Sequence, residues 1–244
     1  MLKQVIPGVA YRLIDSTMRG FNAIIRRVNH GIGQTSDPDL LAIRTRALIG
    51  TDISSHLETI FLEALRATPR LIVELGVRTG ESTLVFASVA RRCGATLVSV
   101  DIAPCSSVCQ YDQWHFVQED DVGFGRRFED WCQEHDISPK VEVLFIDTSH
   151  LYEHTLAEID AWFPHLAERA VVFFHDTNLR RFFRRRDHTI GRGWNNSRGV
   201  IRALDTRFGA GFDERRPFRG ELESWQVIHD PVCNGLTILT RSAT

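Results

Sequence analysis

The sequence contains no apolar run near the ~18 residues that a membrane-spanning helix needs. It also lacks any internal repeat or low-complexity tract. Its 5 cysteines (Cys93, Cys105, Cys109, Cys132 and Cys233) are odd in number. Only Cys105 and Cys109 lie close together, so neither a disulfide framework nor a tetrahedral zinc site is written in their spacing. They read as reduced thiols of a reducing compartment. The stretch from Met1 to Phe21 carries Lys3, Arg12, Asp15 and Arg19, which interrupt the apolar region of a secretory signal. A cytoplasmic location is the resulting expectation. Charge of one sign is missing too: the net charge is −2, which argues against a chain-wide affinity for polyanions.

What is present suits one large α/β domain with extra helices. The chain has 244 residues, is 43% hydrophobic and 25% charged, ordinary values for a globular protein able to bury a core without staples. Residues 1–30 place Leu2, Ile6, Val9, Leu13, Phe21, Ile24, Ile25 and Val28 at near-helical spacing. This predicts a helix that covers the domain or a partner subunit, as in a homo-oligomer; Arg19, Arg26 and Arg27 leave a membrane-surface helix as the other reading. We divide the chain into an N-terminal helical extension (1–50) and a main domain (51–244). Ser55-His-Leu-Glu58 fits a capping box ahead of the stripe Leu57, Ile60, Phe61, Leu65.

From residue 70 apolar strands alternate with helices. Strands are predicted at 71–75, 96–100, 114–117, 141–146, 170–174, 225–229 and 235–239, with helices at 81–92, 123–135, 152–163 and 200–208. This pattern predicts a Rossmann-like, mostly parallel seven-stranded sheet with helices on both faces. Ligands of such sheets sit beyond the carboxyl ends of the strands, where the informative polar residues fall.

Glu74-Leu-Gly-Val-Arg-Thr-Gly80 directly follows a strand and opens a helix. Gly76 and Gly80 allow a tight turn and close approach of backbone to ligand. Asp101 closes the next strand, where it can accept hydrogen bonds from ribose hydroxyls. The spacing is not the G-x-G-x-x-G of dinucleotide sites. Glu74-x-Gly76-x-x-x-Gly80 followed by Asp101 resembles the first two motifs of class I S-adenosylmethionine methyltransferases. That resemblance implies that Glu74, Gly76 and Gly80 line the cofactor, with Ser82 in the same set, and that Asp101 binds ribose. It places Asp120 or Asp121, after the third strand, against adenine.

Asp147-Thr-Ser-His150 ends the fourth strand and His175-Asp176-Thr-Asn178 the fifth. Adjacent strand ends lie about 5 Å apart, so Asp147, His175 and Asp176 can converge on a divalent ion such as Mg²⁺ or Mn²⁺. A hydrogen-bonded loop pair without metal is the competing reading. An ion there would stabilise an acceptor alkoxide while a base removes its proton. His150 is the candidate base, with His154 in reserve. Asp-x-x-His after strand four, with an acidic or polar pair and Asp-Thr after strand five, is similar to metal-dependent sugar O-methyltransferases and the cephalosporin hydroxylase-like group. The resemblance covers roughly residues 70–205. It departs at His175, where that branch carries Glu or Asp. It implies a sugar or glycoside acceptor: a natural-product sugar, or a polysaccharide precursor such as a mannoside.

Between Arg180 and Gly220 twelve arginines face four acids, leaving the remainder of the chain near −10. Gly191 and Gly193 suggest a loop able to move over the site. Asn178, Trp194 and Arg198 are the candidate acceptor contacts. A solvated loop, an acceptor-binding lid and a single-stranded nucleic acid contact all fit this composition, nucleic acid least well in an acidic chain. Three rivals to metal-assisted O-methylation stay open: a metal-independent methyltransferase acting on a small molecule or RNA, a non-catalytic cofactor-binding interaction protein, and an NAD-dependent oxidoreductase.

Overall fold

In the computed structural model, which describes residues 16–25 and 35–241, the apolar runs become strands of one sheet. They are β1 (Leu71–Leu75), β2 (Thr96–Asp101), β3 (Trp114–Gln118), β4 (Val141–Ile146) and β5 (Leu166–His175), in parallel order β3-β2-β1-β4-β5. Every residue of β1 is buried, as is all of β4 except Glu142. Strands covered on both faces need this continuous apolar run, since neither side meets water. The edge strand β3 is only half-buried, and its apolar signal is correspondingly weak.

Two further predicted strands, β9 (Trp225–Asp230) and β10 (Leu236–Arg241), continue the sheet antiparallel beyond β5. An eighth strand, β8 (Phe218–Leu222), pairs with β9. The sheet therefore has eight strands where the sequence indicated seven. The segment Phe-Arg-Gly-Glu-Leu has too few apolar positions to announce itself; pairing across the tight turn at Glu223 makes it a strand.

Alternate strand residues point to opposite faces. On one face Ile72, Leu97, Val143 and Phe173 pack against α1 (Pro38–Ala47), α2 (Leu57–Ala67) and α3 (Glu81–Cys93). On the other, Val73, Val98, Leu144 and Phe174 pack against α4 (Asp121–Arg126), α5 (Phe128–Glu134), α6 (Tyr152–Trp162) and α7 (Gly199–Phe208). Ile43 of α1 is part of the first core, and Arg46 pairs with Glu81 at 2.7 Å. The end of the predicted N-terminal extension thus packs into the main domain.

Local expectations were corrected in three places. The capping box does not form: α2 starts at Leu57, Ser55 Oγ accepts the Arg186 N–H, and Glu58 pairs with Arg44. The helix predicted at 123–135 starts earlier, at Asp121, and breaks at Arg127, whose backbone (φ −113°, ψ 12°) leaves the helical region. The arginine-rich segment forms a hairpin, β6 (Phe182–Arg184) with β7 (Ile190–Arg192).

Residues 16–25 are helical, and Asn22 exchanges two hydrogen bonds with Ile190 of the hairpin. The rest of the helix predicted over 1–30 lies outside the described residues. No helix among the described residues is long and apolar enough to cross a membrane.

Phe86 of α3 is fully buried, its ring 5.3 Å from Phe145 and 6.3 Å from Phe173. Phe86→Ala should cost about 3–5 kcal/mol. Urea unfolding measures this, and a loss below about 1 kcal/mol would show that this face does not depend on the aromatic cluster.

Candidate active site

β1 lies between β2 and β4, the point where the chain's connections reverse direction across the sheet and leave a crevice at the strand ends. Gly76 follows β1 at φ +90°, and a Cβ there would lie 2.1 Å from the Asp147 carbonyl oxygen after β4. Gly80 has φ +78°, and a Cβ on it would lie 3.0 Å from Val108. Only glycine fits either position. Asp101 Oδ2 accepts the backbone N–H groups of Val77 and Arg78 at 2.8 and 2.9 Å, and Oδ1 accepts that of Ala103 at 2.8 Å. The carboxylate thus fixes the glycine turn and, with about four lone-pair sites, still has capacity for hydroxyls.

Glu74 was expected to line the cofactor. Instead it is fully buried, accepting from Thr83 Oγ1 at 2.9 Å and Ser99 Oγ at 2.6 Å. Ser82, also buried, lies beside the same carboxyl. Burial raises Glu74 from 4.5 to about 7, against the pull of these hydroxyls. Both residues brace the turn from beneath. Both hydroxyl bonds fall on Oε2, while Oε1 is buried without a partner, which suits a carboxyl held protonated.

At the ends of β4 and β5 the predicted acid and imidazole side chains come together. His175 Nδ1 lies 3.1 Å from Asp147 Oδ1 and 3.3 Å from Asp176 Oδ1. His150 Nε2 lies 3.1 Å from Asp176 Oδ2, and its Nδ1 lies 3.7 Å from Asp147 Oδ1. One ligand atom from each of Asp147, His175 and Asp176 falls within 4.8 Å of the others. Asp176 Oδ1, His175 Nε2 and His150 Nδ1 are buried without a hydrogen-bond partner. This donor set fits a divalent cation. Burial opposes charge on His175, but the carboxylates of Asp147 and Asp176 outweigh it and push the imidazole up to about 10. Metal-free, His175 is thus itself the cation between two acids.

Backbone strain concentrates here. Arg78 (φ +50°), His150 (φ +57°) and Asp176 (φ +56°) all adopt left-handed conformations that side-chain-bearing residues rarely take. Gly199, at the start of α7, lets that helix approach, since a Cβ would lie 2.2 Å from the His150 carbonyl oxygen. Asn196 Nδ2 donates to the same oxygen at 3.2 Å. The sequence reading named neither Gly199 nor Asn196; a helix-opening glycine after Asn-Asn-Ser was the available signal. It also missed Asp52, which pairs with Arg78 at 2.8 Å, and buried His56, whose ring stands edge-on to His175 at 5.9 Å.

Other assignments shift. Asp120 caps α4 through Gly123 N–H and remains exposed, whereas Asp121 is buried and bonded to His154 at 3.1 Å. Asp121 and His154 are thus paired with each other, and Asp120 is the acid of the two that faces solvent. Trp194 is exposed, its ring 6.2 Å from that of His150. Arg198 is committed to Glu214 and Asp205. The Asn178 amide is held by Pro231 O and Arg180 Nε.

The glycines of the arginine hairpin serve packing, not motion: a Cβ on Gly191 would lie 2.1 Å from Phe183, and one on Gly193 2.5 Å from the Arg180 carbonyl oxygen. Arg185 is buried, donating to Thr51 O at 2.8 Å and Ile190 O at 3.1 Å, and Arg186 pairs with Asp230 at 2.5 Å.

Residues 73–177 match the family model described as a methyltransferase domain. The matched stretch runs from β1 to the end of β5 and so contains the glycine turn and the Asp147–His175–Asp176 group. No curated protein matches the chain. Among solved structures, the fold is similar to the S-adenosylhomocysteine-bound methyltransferase PaMTH1 of Podospora anserina (13% identity, TM-score 0.55, 99% of this chain and 100% of that one). It is similar to CalS11, a TDP-rhamnose 3'-O-methyltransferase of calicheamicin biosynthesis (15%, TM-score 0.51, 93% of each chain). It also resembles MycE of mycinamycin biosynthesis in complex with Mg, S-adenosylhomocysteine and mycinamycin VI (16%, TM-score 0.54), where it covers 85% of this chain but 54% of that one.

Because folding favours protonated Glu74, its contribution to stability is fully present below the ordinary 4.5 and is lost as pH rises through about 7. Glu74→Gln should remove up to about 3 kcal/mol of this pH dependence. Denaturant unfolding at pH 5 and pH 8 tests it; equal slopes for both proteins would mean Glu74 is not held protonated.

Proposed function

We propose that the protein is an O-methyltransferase that moves the methyl group of S-adenosylmethionine to a sugar or glycoside hydroxyl with help from Mg²⁺ or Mn²⁺. The observation that carries this reading is the convergence of Asp147, Asp176, His175 and His150 at strand ends whose backbone touches Gly76 of the cofactor turn. An ion held by Asp147, Asp176 and neutral His175 would position an acceptor oxygen and stabilise its alkoxide.

The chain's own groups supply the rest. Asp176 Oδ2 accepts from His150 Nε2, which places the proton on that nitrogen and leaves Nδ1 with a free lone pair. Nδ1 faces Asp147 and has no partner, so it is the atom to take the acceptor proton. The imidazolium formed is stabilised by both carboxylates. Methyl transfer then makes the O–CH₃ bond, breaks the sulfonium S–CH₃ bond and leaves S-adenosylhomocysteine. The exposed Trp194 ring beside His150 offers a platform for the apolar face of a sugar ring. The sugar acceptors of CalS11 and the Mg-containing MycE complex support the acceptor class and the ion.

A metal-independent reading has one observation in its favour: charged His175 already neutralises the two acids. Activity on a glycoside panel with S-adenosylmethionine decides between them. It should vanish in EDTA and return with Mg²⁺ or Mn²⁺; turnover that survives EDTA would establish the metal-independent enzyme.

Asp147→Ala should abolish metal-dependent turnover while S-adenosylmethionine affinity, read by calorimetry, stays nearly unchanged. His150→Gln should lower kcat by roughly 10²–10⁴. Near-normal rates in the glutamine variant would transfer the base role to solvent.

A further inference from the structure

Helix α6 turns a second acid–imidazole group inward on the same face of the sheet. Glu158 is fully buried; its Oε1 accepts from Thr148 Oγ1 at 2.5 Å and its Oε2 has no partner. Asp121, buried at the start of α4, places Oδ1 3.1 Å from His154 Nε2, while its Oδ2 is buried without a partner. His154 Nε2 also lies 3.7 Å from Glu158 Oε1, and its side chain keeps 26% exposure. One ligand atom from each residue falls within 4.8 Å of the other two. Among the described residues, His154 is the sole basic group paired with either acid.

Two buried carboxyls this close do not both ionise unaided: burial and the neighbouring Asp121 charge push Glu158 well above the usual carboxylate range. His154 as an imidazolium directs its one charge at Asp121, so a further cation between the acids is what would let both ionise. A metal ion would satisfy both orphaned oxygens together. His154 and Glu158 stand four residues apart on one helix face, which brings their side chains to a common point; Asp121 closes the set from the neighbouring helix. One imidazole nitrogen with two carboxylates and an open, solvent-reached position is a donor set for a first-row transition ion, whereas Mg²⁺ favours oxygen ligands and retained water.

We propose that Asp121, His154 and Glu158 form a second metal site, for an ion of the Zn²⁺ class, distinct from the Asp147–His175–Asp176 group. The ion ties α4 to α6. Through Glu158 and Thr148 it also braces the turn that carries Asp147 and His150.

Co²⁺, whose visible d–d absorption reports nitrogen and oxygen ligation, is the probe. The Asp147→Asn/Asp176→Asn protein, with the first site disabled, should bind one equivalent of Co²⁺, show visible bands and melt at a higher temperature with the ion than without. Adding His154→Gln should remove all three effects. In the otherwise wild-type chain, His154→Gln should lower Co²⁺ stoichiometry from two to one, which keeps the test valid if the double variant does not fold. Folded double variant that takes up no Co²⁺, or uptake indifferent to His154→Gln, overturns the site and leaves a proton shared between Asp121 and Glu158. Either outcome is separable from the proposed methyl transfer, which is read by Mg²⁺-restored turnover.

Discussion

The site depends on the contact between the Gly76 backbone and the Asp147 carbonyl. Two parallel strands end side by side, and the turn after one must cross the end of the other with no room for a side chain. Gly76 N–H donates to Val100 O and Asp147 N–H to Leu75 O, both at 2.9 Å. The glycine turn, Asp101 beneath it and the acid–imidazole group are thereby held in one rigid frame. Substrate positioning of the kind that accelerates group transfer requires such a frame, because misplacement by about 1 Å is expensive in rate.

Much of the fold was legible because its strands are buried on both faces and therefore read as unbroken apolar runs. β1, β2, β4 and β5 all announce themselves this way. What the sequence did not show is where pairing, not composition, makes the structure. β8 is a strand because β9 is beside it, and β6–β7 is a hairpin because its arginines are neutralised or enclosed: Arg186 by Asp230, Arg185 under Thr51 and over Phe183. Arginine counts cannot reveal partners such as Asp230 and Thr51, which lie 44 and 134 positions away along the chain.

The candidate site divides in the same manner. Gly76, Gly80, Asp101, Asp147, His150, His175 and Asp176 could be brought to one end of the sheet because each ends a strand or lies in the turn just after one, and strand ends converge. Glu74 and Asp121, which the resemblance placed at the cofactor, are buried, and the reserve base His154 pairs with Asp121. For Glu74 the reason is register: in β1 it opposes Ser99 of β2, inside the layer. For Asp121 it is the turn of α4, which sends Asp120 outward and its neighbour in. His154 follows the inward face of α6 that also carries Glu158.

The turn from Asp147 to His150 links the two ends of this arrangement. Asp147 and His150 face the first acid–imidazole group, while the intervening Thr148 reaches the opposite way to Glu158. His150 can hold a left-handed backbone there only because its surroundings over-determine it: Asn196 grips its carbonyl, Gly199 admits α7 against it, and Asp176 holds its ring. Strain of this kind costs of order 1–3 kcal/mol per residue. A turn pinned from both sides can bear that cost and still present one nitrogen in one orientation, which is what the proposed base would require.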